Sequence, residues 1–402
     1  MSTIKFTAYL VLFLSTCLFA NPSDPEDPLN RPRGKERPRV LISSDIGGDD
    51  EDDMQSFVRY LIYADMFETV GLVASPPRAG RKQDFINMID IYAKDYDNLK
   101  TWSWYPEPDS LKAVTKQGAL NAGAPGEGKN TEGSDHIITE AQKDDDRPLW
   151  ILVWGSITDV AQALYDEPTI KSKIRIHSIS SWNVTVGDKA SYDYIIDNHK
   201  DSVWWIDNWV TFRGIYQEGN TSGDYNSRTF ISNSIAPYGY LGDFYKGLYD
   251  GALIKEGDTP TLLYLLFPLL DSSGNGDDPT LENWGGQYKK TGGTYWEDLY
   301  PESDNTNNPI AKRTVAKWRE QWQDHFAYRM KWTESTNPDT LPVATWFPGS
   351  THITSPGNQP YIQRYNNKTG ILFNNKWFNI QGKPIPKEKF LLLQTPGGPG
   401  NN

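Results

Sequence analysis

Six carboxylates fall within nine positions of the stretch "RVLISSDIGGDDEDDMQSF" (39–57): Asp45, Asp49, Asp50, Glu51, Asp52 and Asp53. Like charges repel at this density, so the cluster is either a solvated turn or the lining of a cation site. A local explanation covers part of it. Asp52 and Asp53 precede an amphipathic helical pattern, where carboxylates cap free N–H groups and suit the positive end of the helix dipole. Asp45 is different, because it follows the apolar run "VLIS" and belongs at the end of a strand. Gly47 and Gly48 let the chain turn sharply, so that Asp45 and the helix-start acids can converge. Converging carboxylates would take a hard cation through oxygen ligands, Ca²⁺ or Mg²⁺. On these residues alone, the cap and the metal site both stay open.

Other chemistries leave weaker marks. "GAPGEGKN" (123–130) nearly spells a phosphate-binding loop, but Asn130 stands where Ser or Thr should hold Mg²⁺, and the preceding "LKAVTKQGALNA" reads as helix rather than strand. A mobile loop at the rim of a site is the expectation there. His136, His177, His199, His325 and His352 show no zinc-ligand spacing. His177 lies within a strand pattern and His325 on a late helix, so both read as structural. No G-x-S-x-G elbow occurs, which argues against a serine hydrolase of that type.

The elements that must position the acids alternate in type. "TVGLVAS" (69–75), "LWILVW" (149–154), "IRIHSIS" (174–180) and "DSVWWI" (201–206) are apolar runs bounded by turns, as buried parallel strands are. Between them Met54, Phe57, Val58, Leu61 and Ile62 fall at helical spacing, as do Phe85, Met88, Ile89 and Tyr92. Such alternation predicts an α/β layer fold around a largely parallel sheet, with ligands gathered at the carboxyl ends of the strands. The acidic cluster lies at such an end. A helix is expected from about Pro309 to Trp332. Beyond it "LPVATWF", "PYIQRY", "TGILF" and "FLLLQ" predict a small β-rich C-terminal region over 336–402, with a frayed end.

The N-terminus carries Lys5, a short apolar stretch from Ala8 to Phe19, and a polar, proline-rich segment after Ala20. This pattern predicts a signal peptide over 1–20 and a flexible leader over 21–37, hence a secreted or periplasmic protein with no transmembrane segment. Cys17 at the end of the apolar stretch allows a lipoprotein as the second choice, although Thr16 fits poorly before a lipidated cysteine. Cys17 is the single cysteine, so a mature chain has neither disulfides nor thiol chemistry. Asn183, Asn220 and Asn367 head glycosylation sequons that matter only in a eukaryotic secretory path. A net charge of −12 argues against nucleic acid as a partner.

"SSDIGGDDEDDM" resembles the N-terminal signature of nucleoside hydrolases, an Asp-x-Asp-x-Gly stretch followed by a paired Asp-Asp that opens the first helix. It is closer still to a secreted branch of nucleoside-hydrolase-like, cellulose-binding proteins, in which a Ser or Thr such as Ser43 replaces the first Asp. "YADMFETVGLVASP", "EGSDHII", "LWILVWGSITDVAQAL", "EGDTPTLLYLL" and "NWGGQY" resemble that branch as well, so the likeness spans about 38–335. The resemblance implies a nucleoside-hydrolase-like α/β domain and a Ca²⁺ cofactor. Asp45 then matches the aspartate that binds calcium and takes the proton of the attacking water. Asp53 and Asp258 match calcium ligands, and Asp52 matches the residue that holds a sugar hydroxyl. Trp154 falls where the family offers a backbone carbonyl to the ion, which would leave its side chain free to vary. Without the resemblance, Asp258 reads as an acid beside a helix start, with Thr259 as cap and Pro260 in the first turn.

Departures from the family pattern limit what carries over. Purine-preferring members place a His immediately before the last calcium aspartate, and Gly257 stands there in this chain. The family's substrate segment has no clean match in "SSWNVTVGDKASYDYIIDN". Glu132, Trp182 and Asn183 are candidate sugar contacts, and Trp284 either stacks on a sugar or packs its glycine turn. The combined expectation is a secreted, calcium-dependent glycoside hydrolase acting on a carbohydrate, with Asp45 as general base. The alternatives are an extracellular ribonucleoside hydrolase and a non-catalytic, cellulose-binding protein. Family members often assemble as dimers or tetramers, which makes a homo-oligomer a further expectation.

Overall fold

The computed structural model describes residues 37–334, apart from short stretches at 48–50, 78–80, 219–224, 272 and 300–308, together with four strands between 361 and 385. The expected signal peptide, the leader up to residue 36, Cys17, Asp49 and Asp50, the sequons at Asn220 and Asn367, His352, and the runs "LPVATWF" and "FLLLQ" lie outside the described residues. No helix among the described residues is long and apolar enough to cross a membrane.

Eight strands form the central sheet: β1 (Arg39–Ser44), β2 (Glu68–Ala74), β3 (Thr115–Gln117), β4 (Leu149–Val153), β5 (Ile174–Ile179), β6 (Trp204–Asn208), β7 (Tyr288–Lys290) and β8 (Tyr295–Asp298). Their order is β3-β2-β1-β4-β5-β6-β8-β7, and every pairing is parallel except that of β7 with β8. The helices are α1 (Asp52–Ile62), α2 (Lys82–Leu99), α3 (Pro108–Ala113), α4 (Glu132–Ala141), α5 (Thr158–Asp166), α6 (Lys189–His199), the single turn α7 (Arg228–Phe230), α8 (Gly239–Gly247), α9 (Thr259–Leu270), α10 (Pro309–Ala316) and α11 (Arg319–Met330).

Alternation along the strands divides the core. Val40, Ile42, Trp150, Leu152 and Trp154 point into a larger apolar cluster with Phe57, Phe85, Leu262 and Phe326. Leu41, Leu149, Ile151 and Val153 point the other way, onto Ile137, Val160, Leu164 and Ile195. Both faces are therefore covered, which is why these strands read as continuous apolar runs. Four antiparallel strands, β9 (Tyr361–Tyr365), β10 (Lys368–Phe373), β11 (Lys376–Phe378) and β12 (Pro384–Ile385), make a second sheet from "PYIQRY", "TGILF" and the residues through Ile385.

Three expectations change. The segment "LKAVTKQ" is not helical throughout, because α3 ends at Ala113 and β3 comes next as an edge strand. The late helix is two helices, α10 and α11, separated at Lys317–Trp318. The 119–131 loop is tied down rather than mobile: Ala119 and Gly123 donate N–H bonds to Asp159 and Asp188, and Gln162 bonds Gly126 in both directions. Lys129 turns back onto the Ala124 carbonyl.

A buried ion pair joins α1 to the turn before α9. Arg59 Nε lies 2.6 Å from Glu256 Oε2, with both side chains fully buried. Arg59 also donates to Gln323 on α11 and lies over the Phe326 ring at 3.8 Å. Arg59→Met leaves the Glu256 carboxylate buried without its cationic partner, held by the Tyr245 and Thr259 hydroxyls, so urea denaturation should show a loss of about 3–5 kcal/mol. The double variant Arg59→Met/Glu256→Gln should lose clearly less, because no lone charge remains.

Candidate active site

The carboxyl ends of β1 and β4, the start of α1 and the start of α9 meet at one place. Asp45 directly succeeds β1 and is 4% exposed. The backbone then turns through Gly47 at φ +93°, a conformation that side chains resist. A β-carbon at Gly47 would also strike the carboxylate of Asp84 on α2. Gly155, in the turn after β4, lies against Asp45. A β-carbon there would stand 2.9 Å from Asp45 Oδ1 and 2.8 Å from both Asp45 N and the Pro76 carbonyl.

At the head of α1 the cap position belongs to Glu51, whose side chain does not cap. It accepts the backbone N–H of Tyr249 instead, while the Tyr249 hydroxyl accepts from Glu51 N at 3.1 Å. Asp52 and Asp53 therefore occupy the first turn, where the helix dipole favours negative charge. Asp53 accepts a hydrogen bond from Ser44 Oγ at 2.5 Å, which links the first turn of α1 back to β1. Asp258 holds the cap position of α9, in place of the expected Thr259, and its side chain makes no capping bond. Thr259 Oγ1 donates to Glu256 instead.

Asp52, Asp53 and Asp258 converge, with one carboxylate oxygen of each within 4.8 Å of the others. Asp53 and Asp258 are buried and Asp52 is partly open. At that separation two ionised carboxylates repel by roughly 3 kcal/mol at an effective dielectric near 20. Lys255 Nζ, 3.8 Å from Asp52 Oδ1, offsets part of this charge. Asp45 supplies no atom to the group of three.

Trp154 is placed by both its backbone and its side chain. Its carbonyl accepts from Asn183 Nδ2 at 2.6 Å, and its N–H donates to the Ser43 carbonyl. Its buried indole donates to Thr261 Oγ1 at 2.8 Å, in the first turn of α9. The side chain is thus not free to vary, since it ties the β4 end to the helix that begins just after Asp258. Asn183 also bonds the Ile179 carbonyl, so its amide serves as a clamp between the ends of β4 and β5.

The sugar-contact candidates separate. Trp182 is 42% exposed beside Asn183, so part of its indole meets solvent. Glu132, at the start of α4, is held by Lys82 at 3.0 Å and by the Gln117 N–H at 3.1 Å. Trp284 is fully buried against Phe267 and His325, which leaves no face for a sugar and makes packing its role. His177 is a core residue bonded to Tyr288, and burial pushes its imidazole down to about 3. His325 likewise bonds Tyr63 in the core.

Several residues at the site carry little signal in the sequence. Phe212 and Arg213 come after β6; Arg213 donates to Ser181 Oγ at 2.9 Å, beside Trp182. Phe212 edges the position of Gly257, where a β-carbon would stand 3.6 Å from its ring and 2.7 Å from Asp52 Oδ2. Outside the acid group, Asp207 near the end of β6 is a buried carboxylate that accepts from Tyr192, Trp209 and Tyr295; burial raises its pKa. An acid ending an apolar, aromatic strand is the one mark of it that the sequence offers.

A parallel sheet with acids converging at its carboxyl edge is the architecture of the nucleoside hydrolase-like class. Residues 39–288 match the family model "Cellulose-binding Sde182, nucleoside hydrolase-like domain", and the chain belongs to that family. Among solved structures, a nucleoside hydrolase-related hypothetical protein from Saccharophagus degradans, associated with carbohydrate metabolism, shares 22% identity and a TM-score of 0.59. That match covers 86% of this chain and 84% of that one. A plant nucleoside hydrolase is more remote, at 14% identity, TM-score 0.42, and 71% and 99% coverage. A purine-preferring ribonucleoside hydrolase from Gardnerella vaginalis stands at 14%, 0.40, 69% and 99%. No curated protein matches the chain.

Gly257 yields a direct test. Gly257→His places a β-carbon 2.7 Å from Asp52 Oδ2, so a crystal structure of the variant should show the Asp52 carboxylate displaced from the group of three. Release of free base from inosine should not appear, because the imidazole cannot enter without displacing an acid of the cluster.

Proposed function

We propose that this chain is a calcium-dependent glycoside hydrolase that acts on a carbohydrate outside the cell. The observation that carries the reading is the convergence of Asp52, Asp53 and Asp258 at the carboxyl edge of the sheet. The donors are all carboxylate oxygens, two of them from buried residues, which is the set a hard divalent cation needs. Asp53 and Asp258 would hold the ion, together with Asp45 and the Trp154 carbonyl in the role the family resemblance assigns. When bound, calcium supplies charge that orients and acidifies a water and polarises a sugar diol.

The residues of the chain do the rest. Asp45, buried at the strand end and backed by Gly155, accepts the proton of the attacking water as the anomeric carbon gains oxocarbenium character. Asp52, on the open side of the group beside Lys255, takes a hydroxyl of the sugar. Trp182 presents its exposed indole for stacking, and Asn183 holds the Trp154 carbonyl in place. Glu132 stands as an outer contact at the end of β3, already paired with Lys82.

One observation favours a second reading, a carbohydrate-binding protein without turnover. Gly257 offers no side chain to protonate a leaving group beside Asp258, and a β-carbon there would meet Asp52 Oδ2 at 2.7 Å. The same observation weighs against a ribonucleoside hydrolase.

Calorimetry on EDTA-stripped protein separates these readings. Wild type should bind Ca²⁺, and Asp258→Asn should weaken binding at least tenfold. Asp45→Asn should lower glycoside turnover by a factor of about 10² to 10⁴, with glycan binding retained. A wild type that binds glycan but hydrolyses none of a glycoside panel would establish the binding-protein reading instead. Absence of Ca²⁺ binding in wild type would overturn the metal assignment.

A further inference from the structure

The opposite end of the parallel strands carries a cavity of about 440 Å³ whose charge differs from that of the acid group. Its walls come from the residues that lead into β4, β5, β6 and β8, so it lies at the amino ends of the parallel strands, away from the acid group. Four cations line it, Arg147, Lys171, Lys173 and Arg175, against two carboxylates, Asp145 and Asp146. That balance is the reverse of the chain as a whole, which carries −12.

Arg147 is neutralised locally. It makes two close contacts with Asp145 and a third with Glu68, and its guanidinium holds the Asp145 carboxyl well below the usual range. The lysines differ, since neither Lys171 nor Lys173 has an ion-pair partner among the described residues. Arg175 is paired only with the exposed Asp277, a contact worth little in water. Its guanidinium lies 5.2 Å from the ring centres of both Trp150 and Trp204, which fixes its direction. Trp204 is partly exposed in the cavity wall and is braced by Trp150 and Trp296 at 4.9 and 4.7 Å.

Two unpaired ammonium groups, an oriented guanidinium and a braced indole form a recognisable set. Arginine held on aromatic faces recognises planar anions, and a partly exposed indole gives a sugar ring an apolar surface to pack on. We propose that this cavity is a second binding site, independent of the acid cluster, for a saccharide that bears a carboxylate or sulfate group. A protein with such a site would grip an acidic glycan at one edge of its sheet while the other edge meets a glycosidic bond.

Calorimetry on the full chain in EDTA, at low salt, tests this with four probes: trigalacturonate, a sulfated disaccharide, cellotriose and inorganic sulfate. At least one acidic sugar should bind, weaken as salt rises, and lose at least tenfold in affinity in Lys171→Ala/Lys173→Ala and in Arg175→Gln. The lysines are partly or fully exposed, so thermal unfolding of the double variant should match wild type. Asp258→Asn should bind the acidic sugar as wild type does, and cellotriose should not compete. Whichever acidic sugar binds more tightly identifies the anionic group. Undiminished binding in the double lysine variant, loss in Asp258→Asn, sulfate binding as tight as that of the sugars, or no binding of either acidic sugar would each overturn the assignment.

Discussion

The buried contact between Arg59 and Glu256 is the constraint on which the geometry of the acid site rests. Arg59 and Gln55 sit one helical turn apart on α1, so they present to one side of the helix. Gln55 takes the N–H groups of Lys255 and Glu256, and Arg59 takes the Glu256 carboxylate. The same helix carries Asp52 and Asp53 in its first turn, and Asp258 lies two residues beyond Glu256. Three acids from two distant segments are therefore brought together by contacts made one and two turns below them. Glu256 itself sits at φ +37°, a conformation that costs a non-glycine residue energy. Its bonds to Arg59, Tyr245 and Thr259 hold it there. A buried pair of this kind is better understood as fixing a position than as adding stability, since the desolvation of both charges offsets most of their attraction.

The acid group gathers negative charge where the fold can least dissipate it. Asp53 and Asp258 are buried, Asp53 accepts from Ser44 Oγ, and Lys255 lies beside Asp52. Carboxylates held this close in a buried place repel, and a cation held as proposed would offset that cost. Gly257 bears on the same acids. A β-carbon there would meet Asp52 Oδ2 at 2.7 Å, so a larger side chain requires Asp52 to move, while the Phe212 ring at 3.6 Å makes an ordinary contact.

How much of this is readable in the sequence depends on how local each feature is. The apolar runs of β1, β2, β4, β5 and β6 are legible, because strands covered on both faces need uniform burial. Asp45, Asp52 and Asp53 stand out because a turn and a helix start bring them close along the chain. Asp258 is visible only through resemblance, since its neighbours across space are about 200 positions away. The ties that orient the site have similarly distant partners: Arg59 with Glu256, Trp154 with Thr261, and Glu51 with Tyr249. The Trp154 side chain departs from expectation for this reason, as nothing nearby in sequence reveals the hydroxyl its indole meets. Trp284 has no local mark that separates a stacking indole from a packing one, and burial decides it. β3, β7 and β8 have three or four residues each, too few for periodicity to register.

The two edges of the sheet differ in charge for a reason built into a parallel fold. All strands from β3 across to β8 run the same way, so the turns that leave them collect at one edge and those that enter them collect at the other. Asp45, Asp207, Asn208 and Asp298 all lie at or just beyond strand carboxyl ends. Lys173, Arg175 and Arg147 all lie at or just before strand amino ends. Parallel topology thus keeps the acid group and the Lys171–Arg175 cluster apart by the length of the strands, although Asp145 and Glu68 also lie at the amino ends, paired with Arg147. In a chain that is acidic overall, the basic edge is the part whose composition needs a cause other than solubility, and an anionic ligand is a cause that its unpaired lysines can serve.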